Sequence, residues 1–268
     1  MKKAFYSLIL LLFSIALFGQ GDFSLVSWNI RDFGQTKNAD EIAIIAKIVR
    51  DYDIVAIQEV VAGYGGAQAV ARLADELNRL GSKWDYVISD PTQSPPYKTE
   101  RYAFLWKTSK IKLKNAWLDE KLSRKIDREP FLAKFQLKGK SFIIANYHSK
   151  PHKDHPEEEI KLFYDYPSRF SYPLIIAGDF NTNSTDAVFN PLYDNGFTSN
   201  LINEKTTLKR QCNAQNIYKN HAIDFILYQK KFFHNKASGI IDFVHSCYYL
   251  TEARLISDHL PVFLINKR

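Results

Sequence analysis

Strand-length apolar runs that end on a polar side chain most restrict what this chain can fold into. Phe23 to Trp28 gives way to Asn29, and Asp53 to Gln58 gives way to Glu59. Pro173 to Ala177 leads through Gly178 to Asp179 and Asn181. Asp224 lies inside the run from Ala222 to Tyr228, and Asp258-His259 comes just before the strand from Pro261 to Ile265. A carboxyl beside a buried strand is costly unless a cation, a hydrogen bond or a turn satisfies it. Loops held at strand ends also commonly carry sites. Further strand-like runs are Trp84 to Ile88, Tyr102 to Lys107, Ile111 to Trp117, Phe131 to Leu137, Ser141 to Tyr147 and Gly239 to Val244. Apolar residues at helical spacing (Ile42, Ile45, Ala46, Val49) predict a helix from Asn38 to Asp51, with Asn38 or Asp40 as its cap. A second helix is expected over Ala67 to Leu80, stopped by Gly81, and a third over Pro156 to Phe170. Glu157-Glu158-Glu159 reads as a solvated face of that third helix. Two sheets packed face to face, with helices outside, bury this many strands. The expected fold class is therefore α/β or α+β.

The N-terminus is a separate matter. Lys2 and Lys3 precede an apolar run from Ala4 to Phe18, closed by Gly19-Gln20-Gly21. That pattern reads as an export signal, and the run is shorter than the ~20 residues a membrane helix needs. Residues 1–20 are thus expected to be a removable signal peptide and 21–268 one domain, secreted or periplasmic, with no membrane anchor after processing. The whole chain carries 36 Lys and Arg against 29 Asp and Glu, +7; loss of Lys2 and Lys3 makes it +5. A mild cationic balance suits polyanionic partners as well as simple solubility. Two cysteines exclude a multi-cysteine zinc ribbon. In an exported protein Cys212 and Cys247 are either paired or free, and both readings stand.

The carboxylates and amides at these strand ends (Asn29, Glu59, Asp179, Asn181, Asp224 and Asp258) together propose a hard metal bound through oxygen, such as Mg²⁺, Mn²⁺ or Ca²⁺. His148 and His259 add acid–base capacity near neutral pH. His152 and His155, with His148, lack a fourth zinc ligand and read as a solvent loop. Gly63-Tyr64-Gly65-Gly66 reads as a flexible turn before a helix, since the dinucleotide spacing is missing.

Five motifs occur in order: Ser27-Trp28-Asn29-Ile30, Gln58-Glu59-Val60, Gly178-Asp179-Phe180-Asn181, Ala222-Ile223-Asp224 and Ser257-Asp258-His259-Leu260-Pro261. Together they resemble the endonuclease/exonuclease/phosphatase superfamily. Tyr97 to Tyr102, Arg128-Glu129-Pro130 and His148-Ser149-Lys150-Pro151 further resemble its deoxyribonuclease I-like branch. The resemblance implies a four-layer sandwich, two packed central sheets flanked by helices. It implies a phosphodiester hydrolase, a monomer acting on DNA with little sequence specificity.

It also implies roles. Asn29, Glu59 and Asp258 would form the metal site, with Asp179 beside it, for Mg²⁺ or Mn²⁺. Asn181, Arg128 and Tyr97 would contact the phosphate or its surroundings. Glu100 with His148, and Asp224 with His259, would be two acid–base pairs in which each carboxylate fixes its imidazole. Either pair could serve as base or acid. Ca²⁺ is a further candidate, but Leu208 to Tyr218 contains no acid and Arg124 stands where the family has one, which speaks against structural calcium sites. The same core motifs would serve a phosphodiesterase or phosphatase acting on a lipid or inositol phosphate, sphingomyelinase-like. Such an enzyme should expose aromatics to a membrane; Phe232-Phe233 and Tyr248-Tyr249 are the candidates, and both fit strands at least as well.

Overall fold

In a computed structural model, residues 22–95 and 97–267 are described. The segment read as an export signal lies outside them. In chain order the elements are β1 (Phe23–Phe33), α1 (Ala39–Val49), β2 (Ile54–Val61), α2 (Tyr64–Arg79), β3 (Trp84–Ile88), β4 (Glu100–Lys107), β5 (Lys112–Leu118) and β6 (Phe131–Leu137). They continue with β7 (Lys140–His148), α3 (Glu157–Ile160), α4 (Tyr166–Arg169), β8 (Leu174–Asp179), α5 (Asn190–Asp194), β9 (Phe197–Ser199), β10 (Asp224–Gln229), β11 (Asn235–Ile240), α6 (Leu250–Ile256) and β12 (Val262–Asn266). These strands make two six-stranded mixed sheets, β11-β12-β1-β2-β4-β3 and β5-β6-β7-β8-β10-β9. They pack face to face in the centre with helices around them.

Alternation along the strands explains the layers. Phe23, Leu25, Ile54, Ala56, Tyr102, Phe104 and Trp106 point from the first sheet into the core shared with the second. Their neighbours Val26, Trp28, Val55, Ile57, Ala103 and Leu105 point the other way, against Ile42, Ile45 and Val49 of α1 and Val70, Leu73 and Leu77 of α2. Asn38 begins α1 in a reciprocal capping box with Glu41, satisfying two otherwise orphaned N–H groups.

Several expectations shift. The flexible turn expected at Gly63 to Gly66 is instead the first turn of α2, with Gly63 as its cap. Gly66 lets that turn close onto β2: an added Cβ there would lie 2.0 Å from the Val61 carbonyl oxygen. The single helix expected over Pro156 to Phe170 is α3, a 3₁₀ turn and α4, because Pro167 has no N–H to continue a helix and sits at the start of α4. The strand expected at 239–244 is β11, which ends at Ile240. Tyr248 and Tyr249 are not in a strand; they stand exposed in a 3₁₀ turn, ring against ring at 4.9 Å. Cys212 and Cys247 are joined, Cα to Cα 6.1 Å, tying the loop after residue 208 to that turn. Among the described residues no helix is long and apolar enough to cross a membrane.

Candidate active site

Register delivers the polar residues. β7 runs parallel to β8 with His148 beside Asp179, and β10 runs antiparallel to β8 with Asp224 beside Asp179. Three chemistry-bearing residues therefore share one rung of the second sheet. The approach of β7 to β8 is close enough to require Gly178, since an added Cβ would lie 1.7 Å from the Tyr147 carbonyl oxygen. On the first sheet, Asn29 of β1 pairs with Gln58 of β2. The β2–β4 register then slips between Ile57 and Val60, so that Gln58 and Glu59 together face Tyr102. Glu59 adopts a left-handed conformation (φ 59°), and this bulge turns its carboxylate into the site.

The two imidazoles are held in the same way from opposite sides. His148 Nδ1 lies 3.1 and 3.0 Å from the Glu100 oxygens. His259 Nδ1 lies 3.0 Å from both Asp224 oxygens. The Nε2 atoms of both face Asp179 Oδ2, at 3.6 Å from His148 and 3.8 Å from His259. Asn29 Nδ2 bridges Glu59 Oε1 at 2.9 Å and Asp179 Oδ2 at 3.2 Å.

The environments of the two rings differ. Burial, reinforced by the Arg128 charge, pushes His148 down to about 4. Burial also works against charge on His259, but Asp224 and Asp179 outweigh it and hold the ring up to about 10. Burial pushes Glu100 up to about 7 against the pull of Arg128. Asp179 is raised by burial and by the neighbouring Asp224 charge. At neutral pH the His148 ring can therefore take a proton at Nε2, and the His259 ring can give one. In the metal-free protein at pH 7, nitrogen-15 ring spectra should show His259 doubly protonated and His148 singly protonated. Two rings titrating together near the ordinary ~6.5 would show that this asymmetry is absent.

The donors fit a hard divalent ion. Asn29 is fully buried, and its Oδ1 has no hydrogen-bond partner. A buried amide oxygen left orphaned beside Glu59 and Asp179 makes an oxygen donor set of the kind Mg²⁺ and Mn²⁺ take. Asp179, Asp224 and His259 also offer donor atoms within 4.8 Å of one another. Two of those three are already bonded to each other, and Asp224 also accepts from the Thr206 hydroxyl at 2.6 Å, so the Asn29 side is the better-suited pocket.

The other expected residues are placed as follows. Asp258 flanks the site with its carboxylate facing Arg31 (3.8 Å) and Arg254 (3.4 Å). Asn181, in a left-handed turn, donates from its backbone to Asp179 Oδ1 and from its side chain to the Ser149 carbonyl. Arg128 is buried: its guanidinium donates to the carbonyls of His148 and Ser149 and lies 3.7 Å from Glu100, so its fork braces the strand end. Tyr97 is fully exposed on the loop before β4, outside this cluster.

Four supporting groups were not picked out by sequence. Trp28 Nε1 donates to the His259 carbonyl, and Ser257 Oγ donates to the Asn29 carbonyl, fixing the 257–259 segment onto β1. Thr206 orients Asp224. Asn146 reaches across the sheets beneath the site. Trp28 and Ser257 lie inside quoted motifs, and an amide in the apolar run Phe142 to Tyr147 was a signal for Asn146. Thr206 had no signal.

Known proteins resemble this chain in sequence and in fold. The model of the Endonuclease/Exonuclease/phosphatase family matches residues 26–259. The chain is 29% identical to deoxyribonuclease gamma of Rattus norvegicus over 292 residues, covering 96% of this chain and 88% of that protein. It is 34% identical to deoxyribonuclease-1 of Bos taurus over 173 residues, 59% of this chain and 60% of that protein. Among solved structures, an endonuclease/exonuclease/phosphatase family protein from Bacteroides thetaiotaomicron superposes with a TM-score of 0.67 at 19% identity, covering 93% of this chain and 99% of that one. The last likeness establishes the shared fold.

Proposed function

The chain belongs to the endonuclease/exonuclease/phosphatase family, and from that premise we propose that it is a divalent-metal-dependent endonuclease, hydrolysing DNA phosphodiester bonds with little sequence specificity outside the cytoplasm. One observation carries the reading. Two imidazole–carboxylate pairs converge on a single buried aspartate, beside an amide oxygen without a partner.

Asn29, Glu59 and Asp179 would hold the ion, with Asp258 at the edge. A bound divalent ion neutralises charge on phosphoryl oxygens and lowers the pKa of water. The chain's own residues supply the rest. His148, oriented by Glu100, accepts a proton at Nε2. His259, oriented by Asp224, donates one from Nε2. Arg128 fixes the backbone of His148 and Ser149, and Asn181, now donating to the Ser149 carbonyl, would donate to a phosphate oxygen when substrate is bound. The +5 charge of the processed chain favours encounter with a polyanion.

A second reading, a lipid phosphodiesterase, is favoured by the exposed Tyr248–Tyr249 pair, which could lie in a membrane interface. Incubation with supercoiled plasmid in Mg²⁺, Mn²⁺, Ca²⁺ or chelator separates the two. Metal-dependent nicking that chelator abolishes is the expected result. A folded protein that leaves plasmid intact but hydrolyses sphingomyelin vesicles or inositol phosphates would overturn the first reading in favour of the second.

A further inference from the structure

A groove of about 670 Å³ opens directly off Asn181 and runs between the 152–153 turn and the 221–223 segment. Its size is that of an ordinary ligand pocket, about 300–1,000 Å³. His152, Lys153 and His221 supply exposed nitrogen donors at its edge. The one carboxylate among its lining residues, Asp186, is committed to the backbone N–H of Val188 at 2.9 Å, where it caps a 3₁₀ turn. Ala222 and Ile223 give the groove an apolar wall. The acid–base pairs do not use any of these side chains. The groove is nonetheless continuous with the site, because Asn181 lines it and Ile223 immediately precedes Asp224.

We infer that this groove is a subsite for the nucleotide next to the scissile bond, with Lys153, His152 and His221 taking its phosphate and Ala222 and Ile223 its sugar. The inference rests on the nuclease reading and deepens it: the preferred substrate is a polymeric phosphodiester, not an isolated phosphoester. A lone phosphoester can fill the catalytic centre but leaves the groove empty. A strand fills both, and the nitrogen donors of the groove then contribute to binding without touching the reacting atoms.

The test compares bis(p-nitrophenyl) phosphate with DNA oligonucleotides of two and four residues, in the full processed chain with Mg²⁺. Wild type and the triple variant His152→Ala/Lys153→Ala/His221→Ala are measured side by side. In wild type, kcat/KM should rise about tenfold from the shorter to the longer oligonucleotide. In the variant that rise should vanish through KM, with kcat kept and hydrolysis of the small diester unchanged. On plasmid, Lys153→Ala alone should reduce the salt slope of log kcat/KM by about one, as loss of a single phosphate contact does. A length effect that survives the triple substitution would overturn the subsite, and so would an equal loss on the small diester. Wild type inactive on every phosphodiester would instead overturn the nuclease reading beneath it.

Discussion

His148→Ala and His259→Ala should each lower metal-dependent plasmid nicking by about 10²–10⁴-fold, the usual contribution of a positioned acid or base. The two rings occupy equivalent places: each Nδ1 is held at about 3 Å by a buried carboxylate, and each Nε2 faces Asp179. Neither ring is replaceable by solvent, because both lie almost wholly inside the protein. Glu100→Gln and Asp224→Asn should fall in the same direction by less than the histidine variants, since they loosen the tautomer and orientation but leave the ring. The double variant His148→Ala/His259→Ala should be little worse than either single one, as expected of groups that act as a unit. Circular dichroism and melting curves of each variant provide the control for folding. A variant that keeps its fold and loses less than threefold in rate would remove that histidine from the mechanism.

Asn146→Leu should destabilise the protein by about 3 kcal/mol or more, and lower the melting temperature by about 10 °C in a domain of this size. The reason lies in the bulge that aims Glu59. Where β2 slips against β4, the carbonyls of Ile57 and Ala103 turn inward, and Asn146 of the opposite sheet donates to both, at 3.0 and 3.2 Å. Its Oδ1 takes the Gln58 amide at 2.5 Å. Leucine fills the same space with no polar atom, removes a donor from two buried carbonyls and leaves the Gln58 amide only its bond to Ser27 Oγ at 3.1 Å, each loss worth about 1–3 kcal/mol. Because Gln58 and Glu59 form the bulge, activity should fall with stability. Asn146→Asp should recover the Gln58 bond but not the two carbonyls, and lie between. A leucine variant as stable as wild type would show that those carbonyls find other partners.

Much of the site was legible in the sequence, because an acid or amide that interrupts or ends an apolar strand is conspicuous. Asn29, Glu59, Asp179 and Asp224 all announce themselves this way. What sits between them was less legible. The bulge at Gln58–Glu59 leaves no local signature: the sequence predicts a strand that stops at Gln58, whereas β2 runs on through Glu59 to Val61. Arg128 could be picked out as functional by its neighbours, but its fork turns inward because two carbonyls at the end of β7 need donors there. Thr206 is invisible because a lone threonine in a loop has no pattern to break. The short elements α5, β9 and α6 were missed for a related reason: none is longer than seven residues, too short for a periodicity to register. The Cys212–Cys247 pairing depends on two loops 35 residues apart meeting in space, which spacing alone does not encode.

Each imidazole–carboxylate pair joins the two sheets: Glu100 begins β4 of one and His148 ends β7 of the other, while Asp224 begins β10 and His259 leads into β12. The gap between the sheets is therefore a working dimension of the enzyme, like the gap of a spark plug. Any change that swells or shrinks the central layer, whether a trimmed phenylalanine, pressure or warming short of melting, alters both histidine contacts together. Turnover should consequently register distortions of the core too small to be seen as unfolding, and the rate becomes a gauge of how tightly the two halves are clamped.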